Sequence, residues 1–161
     1  MTTRILFVCM GNICRSPTAE VVFREIARRD FPAISLEVDS AGTHGYHIGD
    51  PPDPRSIDAA RRRGYDLRPL RARKVLREDF DRFDMVFAMD ADNHARLLEI
   101  APVSRASRAI RFLEFAAYPD RLDVPDPYYG DAEAFEEVLD LLEAASRSAL
   151  ARLSGRAQPR V

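Results

Sequence analysis

The chain has 161 residues, of which 46% are hydrophobic and 31% are charged, and its formal net charge is −2. This composition is typical of one soluble globular domain, and the near-neutral charge offers no overall attraction to nucleic acid. Two cysteines are too few for a structural zinc site, so we expect no metal and no other cofactor. The apolar run after residues 1–4 is too short for a signal peptide or a membrane span, and we therefore expect a cytoplasmic protein that does not insert into membranes.

The first predicted element is a buried strand over residues 5–8, and the segment after it carries the strongest chemical signal. That segment reads Cys9-Met10-Gly11-Asn12-Ile13-Cys14-Arg15-Ser16, and Ser16-Pro17 is typical of a helix start. The free N–H groups and the dipole of a helix N-terminus favour a bound anion and also the thiolate form of Cys9. Arg15 has a planar guanidinium that can hold two phosphoryl oxygens at once. The segment therefore predicts a phosphate-binding loop with Cys9 as its nucleophile.

Apolar residues in the rest of the chain recur at helix and strand spacing, and segments rich in Gly and Pro separate them. The first helix reaches about Asp30, a short second strand covers Leu36, Val38 and Ser40, and a loop spans residues 42–54. The later predicted elements are, in chain order, a helix over 54–63, a strand over 85–89, a helix over 92–100, a strand over 110–115 and a helix over 132–153.

This alternation of strands and helices predicts an α/β fold with a parallel sheet, helices on both faces and right-handed crossovers. Ligands of such sheets bind beyond the carboxyl ends of the strands. The loop at residues 9–16 lies at that edge, together with residues 42–54, the turn after Met89 and the segment after Phe115. We expect residues 1–154 to form a single domain and residues 155–161 to form a frayed C-terminal tail.

The loop resembles that of the low-molecular-weight protein tyrosine phosphatases, whose hallmark is a Cys-x5-Arg-Ser sequence near the N-terminus. Residues 8–20 follow the family pattern, and later matches extend over nearly the whole chain: Ser40-Ala41-Gly42-Thr43, Asp53-Pro54-Arg55, Arg71-Ala72-Arg73, Met89-Asp90 and Asp126-Pro127-Tyr128. The resemblance implies a flavodoxin-like three-layer sandwich with a four-stranded sheet in the order 2-1-3-4. It also implies a phosphatase domain that hydrolyses phosphotyrosine in proteins through a cysteinyl-phosphate and releases inorganic phosphate.

Expelling a tyrosyl oxygen requires a proton donor opposite the attacking sulfur. The three histidines of the chain lack any motif context: His44, His47 and His94. Chemistry alone leaves three aspartates of one loop as candidates: Asp120, Asp123 and Asp126. The resemblance of Asp126-Pro127-Tyr128-Tyr129-Gly130 to the family's acid loop assigns the general acid and base to Asp126.

The resemblance further implies a binding cleft for an aromatic ring. Tyr128 and Tyr129 would form one wall of this cleft, and Tyr46 would form the opposite wall. The remaining expected substrate contacts come from the phosphate-binding loop: Met10, Gly11, Asn12, Ile13, Cys14 and Ser16. We also expect Cys14 to take part in a transient, oxidant-driven pair with Cys9.

Asn12 is expected to adopt a positive φ, which needs support from hydrogen bonds. In the family a serine at the position of Ser40 supplies one of them. A histidine that usually precedes the Arg-Ala-Arg motif supplies another, and here that position is Leu70. Either water or another polar group replaces this histidine, or the loop is less rigid than in relatives.

Three other functions compete with phosphotyrosine hydrolysis. Arsenate reductases of this type need further cysteines, and the sequence has none after Cys14. Arginine phosphatases resemble the chain but place a threonine where Ile13 stands, and an apolar side chain favours a phenol ring. A binding module without turnover would not need the intact set of Cys9, Arg15 and Asp126. The arginine-rich stretch over 55–77 is interpreted as a solvated surface, because acidic residues are interleaved with it, in preference to a docking surface.

Overall fold

A computed structural model of the chain describes residues 1–157 and contains a four-stranded parallel sheet. Its strands are β1 (Thr3–Cys9), β2 (Leu36–Gly42), β3 (Met85–Ala88) and β4 (Ala109–Arg111). They lie in the order β2-β1-β3-β4, and each neighbouring pair is parallel. The strand order and the α/β class predicted above are therefore confirmed.

Helices cover both faces of the sheet. They are α1 (Arg15–Asp30), α2 (Pro54–Arg61), α3 (Asp79–Arg82), α4 (Ala91–Ile100), α5 (Phe112–Phe115) and α6 (Ala132–Ala157), and a 3-10 helix spans Val103–Arg108. Residues of α1, α2, α5 and α6 share one apolar core, whereas α3 and α4 contribute to a second core. The result is the expected three-layer sandwich. None of the helices within residues 1–157 has both the length and the apolar character that crossing a membrane requires.

The central strand β1 separates the two cores by simple alternation. Ile5 and Phe7 point into the core shared by α1 and α6, while Leu6 and Val8 point into the core of α3 and α4. Successive side chains of a strand project to opposite faces, so a strand covered on both sides must be apolar throughout. This burial fixes the position at which β1 ends, and hence the position of Cys9.

The fourth strand is shorter than predicted. It ends at Arg111, and residues 112–115 form the helical turn α5, whose residues Phe112, Leu113 and Phe115 are buried. A short apolar run is compatible with either a strand or a helix, so its composition could not distinguish them. The two short helices around Asp79–Arg82 and Val103–Arg108 were also not predicted.

The last helix extends beyond the predicted end. Gly155 lies inside α6, which continues to Ala157, so the boundary of the expected tail falls within the helix. Leu153 is buried in the main core one turn before that end and holds the helix against the sheet layer. The rest of the expected tail, residues 158–161, lies outside the described residues.

Phe7 lies at the centre of the main core, and its removal should strongly destabilise the fold. Its ring is fully buried, with centroids 5.4 Å from Phe23 and 5.0 Å from Phe112. We expect Phe7→Ala to lower the free energy of unfolding by about 3–5 kcal/mol in denaturant titrations. The half-buried Phe31 is the matched control, because Phe31→Ala should cost less than about 2 kcal/mol. Equal losses for the two variants would contradict this description of the core.

Candidate active site

The loop between β1 and α1 wraps around the sulfur of Cys9. The backbone N–H of Asn12 donates to Cys9 Sγ at 3.3 Å, and Ser16 Oγ lies 3.0 Å from the same atom. Donors directed at a sulfur stabilise negative charge on it. Helix α1 begins at Arg15 without a side-chain cap, so its first N–H groups remain available to an anion. The geometry therefore suits both a thiolate and a bound phosphoryl group.

Asn12 adopts the expected left-handed backbone, with φ of 58°. Its side-chain nitrogen Nδ2 donates to Ser16 Oγ at 2.8 Å and to Ser40 Oγ at 3.0 Å. Ser40 Oγ in turn donates to Glu20 Oε1 at 2.7 Å. The structure thus places Ser40 in contact with Asn12, and it adds the buried carboxylate of Glu20, to which we assigned no role from the sequence.

The position of Leu70 is apolar, and other groups complete the hydrogen bonds of Asn12. Leu70 is partly buried and packs against the main core. The side-chain oxygen Oδ1 of Asn12 accepts a hydrogen bond from the backbone N–H of Arg73 at 3.0 Å. With the two bonds from Nδ2, both ends of the amide are therefore satisfied by protein groups.

Arg15 is almost fully buried, and protein groups hold its guanidinium in one orientation. Nη1 donates to Asp90 Oδ2 at 2.6 Å and to the Val124 carbonyl oxygen at 3.1 Å, while Nη2 lies 3.7 Å from Asp126 Oδ2. Burial disfavours the charge, but the negative charges of Cys9, Asp90 and Asp126 outweigh it and raise the pKa of Arg15. The guanidinium is therefore held as a fixed cation beside the sulfur.

Asp90 is a residue of this site to which sequence reasoning assigned no role. It is the N-cap of α4, where Oδ1 accepts from the Asn93 N–H at 2.7 Å, and its other oxygen holds Arg15. An aspartate directly beyond a central strand is a signal that could have been used, because the strand's carboxyl end lies at the ligand-binding edge. One carboxylate thus joins the end of β3 to the arginine of the loop.

Of the three aspartates that competed for the acid role, Asp126 is the one that lines the cleft. Its Oδ1 accepts from the Tyr128 N–H at 3.1 Å, and its side chain remains 40% exposed. Asp123 is engaged elsewhere, since its Oδ1 accepts from the Ala91 N–H at 3.1 Å and lies 3.3 Å from Arg111. Asp120 adopts a positive φ of 64° within its turn. The geometry therefore favours Asp126 on grounds independent of its Pro-Tyr context.

The cleft itself is a cavity of about 270 Å³ with the sulfur and Arg15 at its base. Tyr128 and Tyr129 form one wall, with ring centroids 4.9 Å apart in an edge-on arrangement. Tyr46 belongs to the lining as expected, and so does His47, which we had not assigned to the site. The loop residues that line it are Met10, Gly11, Ile13 and Cys14. Asn12, Ser16 and Ser40 do not line this cleft and reach the loop through the hydrogen bonds described above.

A second ion pair supports the wall formed by Tyr128. Asp53 caps α2 by accepting from the Arg55 N–H at 2.8 Å, and the Arg55 side chain returns to the same carboxylate at 2.9 Å. This hydrogen bond holds the pKa of Asp53 below its usual value. The Arg55 guanidinium lies over the rings of Tyr128 and Phe135, at 5.4 Å and 4.7 Å. Arg55 is thus placed to position the aromatic wall.

Comparisons with known proteins identify the family of this chain. The family model for low molecular weight phosphotyrosine protein phosphatases matches residues 4–158. The chain belongs to this family. The low molecular weight protein-tyrosine-phosphatase YfkJ of Bacillus subtilis is 41% identical over 92% of this chain and 94% of its own length. A Streptomyces coelicolor low molecular weight protein-tyrosine-phosphatase is 44% identical over 94% and 93% of the two chains.

Solved structures agree with this assignment. The crystal structure of a protein tyrosine phosphatase from Entamoeba histolytica with Hepes in its active site superposes with a TM-score of 0.90. It is 36% identical in sequence, and the match covers 97% of this chain and 99% of that chain. The crystal structure of B. subtilis YfkJ gives a TM-score of 0.90 at 39% identity and covers 98% of both chains.

The second cysteine of this phosphatase differs from Cys9 in its surroundings. Both thiols are free and buried. Burial raises the pKa of Cys14 to about 12, so this side chain is a protonated thiol at neutral pH. Cys14 lines the same cleft as Cys9, but its expected redox role stays a prediction.

The fixed orientation of Arg15 should make it irreplaceable by lysine. An ammonium group has the charge but lacks the planar fork that holds two oxygens and two protein acceptors together. We expect Arg15→Lys to lower kcat/KM for an aryl phosphate by about 10²–10³-fold. Arg68→Lys, at an exposed arginine paired with Asp66, is the matched control and should leave kcat/KM unchanged. A loss smaller than about tenfold in Arg15→Lys would contradict the role of the guanidinium fork.

Proposed function

We propose that this phosphatase hydrolyses phosphotyrosine in protein substrates, with Cys9 as nucleophile, Arg15 as the phosphoryl-binding group and Asp126 as general acid and base. The proposal rests on one observation, the convergence of these three side chains on a cleft with aromatic walls. No metal or organic cofactor is required, because protein groups supply the nucleophile, the positive charge and the proton. The products are the dephosphorylated protein and inorganic phosphate.

The first half-reaction transfers the phosphoryl group to the enzyme. Cys9 Sγ forms a bond to phosphorus while the bond to the tyrosyl oxygen breaks, and Asp126 donates a proton to that leaving oxygen. Charge on the transferring group is stabilised by Arg15 and by the N–H groups at the start of α1. Because Asn12 N–H and Ser16 Oγ already contact the sulfur, they also stabilise it as the leaving thiolate in the second step.

The second half-reaction releases phosphate. Asp126, now a carboxylate, accepts a proton from a water molecule as the water oxygen attacks phosphorus and the sulfur–phosphorus bond breaks. The thiolate of Cys9 is thereby restored. The 40% exposure of the Asp126 side chain gives water access to this position.

The walls of the cleft support an aromatic substrate. Tyr128 and Tyr129 can contact a phenol ring on one side, and each aromatic pair contributes about 0.5–1.5 kcal/mol beyond simple burial. Ile13 is an apolar member of the lining and cannot hydrogen bond a guanidinium. Tyr46 also belongs to the lining, and its ring would contact the substrate from the opposite side.

Substrate choice is tested with phosphotyrosine, phosphoarginine and phosphoserine peptides of matched sequence. We expect kcat/KM for phosphotyrosine to exceed the other two by at least about tenfold, because the apolar lining favours the ring. In Ile13→Thr this preference over phosphoarginine should narrow, while hydrolysis itself persists. A preference of the wild type for phosphoarginine would overturn the assignment of substrate class.

The acid role of Asp126 is tested by its dependence on the leaving group. Asp126→Asn should lower kcat/KM for phosphotyrosine, whose tyrosyl oxygen is a poor leaving group, by about 10²–10⁴-fold, because it removes the proton donor. The loss should be much smaller for an aryl phosphate with an acidic phenol, which leaves without protonation. The measurement is kcat/KM, which reports the first half-reaction alone, over a series of aryl phosphates, with binding of inorganic phosphate as evidence of an intact loop.

Two outcomes of this series would contradict the mechanism. An equal loss of kcat/KM for good and poor leaving groups would exclude Asp126 as the acid. Cys9→Ser is the reference variant and should lose at least about 10³-fold with every substrate. Normal turnover by Cys9→Ser would exclude the cysteinyl-phosphate. Asp123→Asn is the matched control for the acid, because this aspartate lies in the same loop but contacts Arg111.

A further inference from the structure

Most arginines of the 55–77 stretch are neutralised by neighbouring carboxylates. Arg63 contacts Glu136, Asp140 and Glu143, and Arg73 contacts Asp39 and Asp79. Arg55, Arg62 and Arg68 each have a carboxylate partner as well. For these residues the interpretation as a solvated, paired surface agrees with the structure.

Lys74 and Arg77 differ from these paired arginines. Both side chains are exposed, and neither has an ion pair within the part of the chain that the structure describes. They lie on the same side of a groove of about 500 Å³ between residues 74–77 and helix α4. Arg96 lines its other side, together with a single carboxylate, Glu99, which lies 3.4 Å from Arg96. This basic groove thus carries three cations against one anion.

The basic groove lies close to the phosphate-binding loop. Cys9 pairs with Gly42 across the sheet, and Gly42 in turn forms a bridge with Lys74. Neighbouring strands are about 4.8 Å apart, so the backbone of Lys74 lies roughly 10 Å from that of Cys9. Three extended residues of a bound peptide span about 10 Å. Residues that flank a phosphotyrosine in the cleft can therefore reach the groove.

A contact chain joins the groove to the wall of the catalytic cleft. Arg96 Nη2 lies 3.2 Å from His44 Nε2, and His44 Nδ1 lies 2.9 Å from Thr43 Oγ1. The His44 ring stacks on Tyr46, with centroids 5.2 Å apart and planes at 12°. Because Arg96 lines the groove and Tyr46 lines the cleft, these contacts through His44 connect the two cavities.

We propose that the basic groove binds an acidic segment of the phosphoprotein substrate next to the phosphotyrosine. The proposal rests on the function proposed above and adds a preference among phosphotyrosine sites. Three features carry it: the unpaired charge of Lys74 and Arg77, the distance from Cys9, and the contacts that connect Arg96 to Tyr46 through His44. Exposed Leu76 and Ile100 lie in the same groove and can contact the aliphatic parts of such a segment. Electrostatic complementarity of this kind selects partners and accelerates their association.

The test compares two phosphotyrosine peptides, one with three acidic residues on each side of the phosphotyrosine and one with glutamine and serine at those positions. For the wild type, kcat/KM for the acidic peptide should exceed that for the neutral peptide by about tenfold at low ionic strength and by less in high salt. In the double variant Lys74→Glu, Arg77→Glu this ratio should fall to about one or below. Because the readout is a ratio, any general effect of the substitutions on turnover cancels.

The matched control is the double variant Arg61→Glu, Arg152→Glu. These two arginines are exposed and lack an ion pair among residues 1–157. Their substitution changes the net charge by the same amount as the substitution of Lys74 and Arg77. In this control variant the ratio of kcat/KM for the acidic peptide to kcat/KM for the neutral peptide should equal that of the wild type. The proposal that the groove binds an acidic segment would be contradicted by an equal fall of the acidic-to-neutral ratio in both double variants. A wild type without preference for the acidic peptide would contradict it as well. Failure of the wild type to hydrolyse an aryl phosphate would instead count against the proposed function.

Discussion

The left-handed backbone of Asn12 is the constraint on which the phosphate-binding loop depends. With φ of 58°, its N–H is directed to the sulfur of Cys9. A non-glycine residue in this region persists only when its surroundings hold it there. The Asn12 amide is held by Ser16 of α1, by Ser40 of β2 and by the backbone of Arg73. The conformation of one residue therefore ties a helix, an edge strand and a later loop to the position of the nucleophile.

The topology of the sheet explains why the site assembles at this place. The chain leaves β1 toward β2 on one side and later adds β3 on the other side, so the strand order reverses beside β1. Such a switch point leaves a crevice outside the carboxyl ends of the two central strands. Cys9 ends β1 and Asp90 follows β3, and Arg15 spans the crevice between them. The Val124 carbonyl accepts a hydrogen bond from Arg15 and belongs to the same loop as Asp126.

Local signals in the sequence predicted the parts of this site that are built locally. The apolar run of β1, the Asn12 position and the helix start are neighbours in the chain, so their pattern could be interpreted directly. The helix start was predicted at Ser16-Pro17, and the helix begins slightly earlier, at Arg15. The strand order came from the family resemblance, since alternation alone does not choose it. Residues 112–115 fold as a helical turn because burial between layers, which a short apolar run does not reveal, decides their structure.

Contacts over long sequence separations could not be predicted in the same way. The backbone N–H of Arg73 that holds Asn12 carries no side-chain signal at all. Glu20 and His47 lie near the site through the packing of α1 on β2 and the path of the 42–54 loop. Glu20 ends the family pattern of residues 8–20, but that pattern does not show which side chain it contacts. The pairing of the arginine-rich stretch likewise depends on α6, whose Glu136 and Glu143 are distant in the chain.

The cation of the cleft, Arg15, and the cations of the basic groove, Lys74 and Arg77, differ in the side-chain entropy that they lose when a ligand binds. Arg15 is buried and already fixed by Asp90 and Val124, so little side-chain freedom is lost when a phosphoryl group binds. Lys74 and Arg77 are exposed and unpaired among the described residues, so ordering them costs up to about 2 kcal/mol of rotamer entropy for each side chain. The attraction in a solvent-exposed ion pair exceeds this entropic cost only slightly. The preorganised arginine can therefore supply affinity for the phosphoryl group, whereas the mobile cations of the groove can discriminate among peptides that already present it.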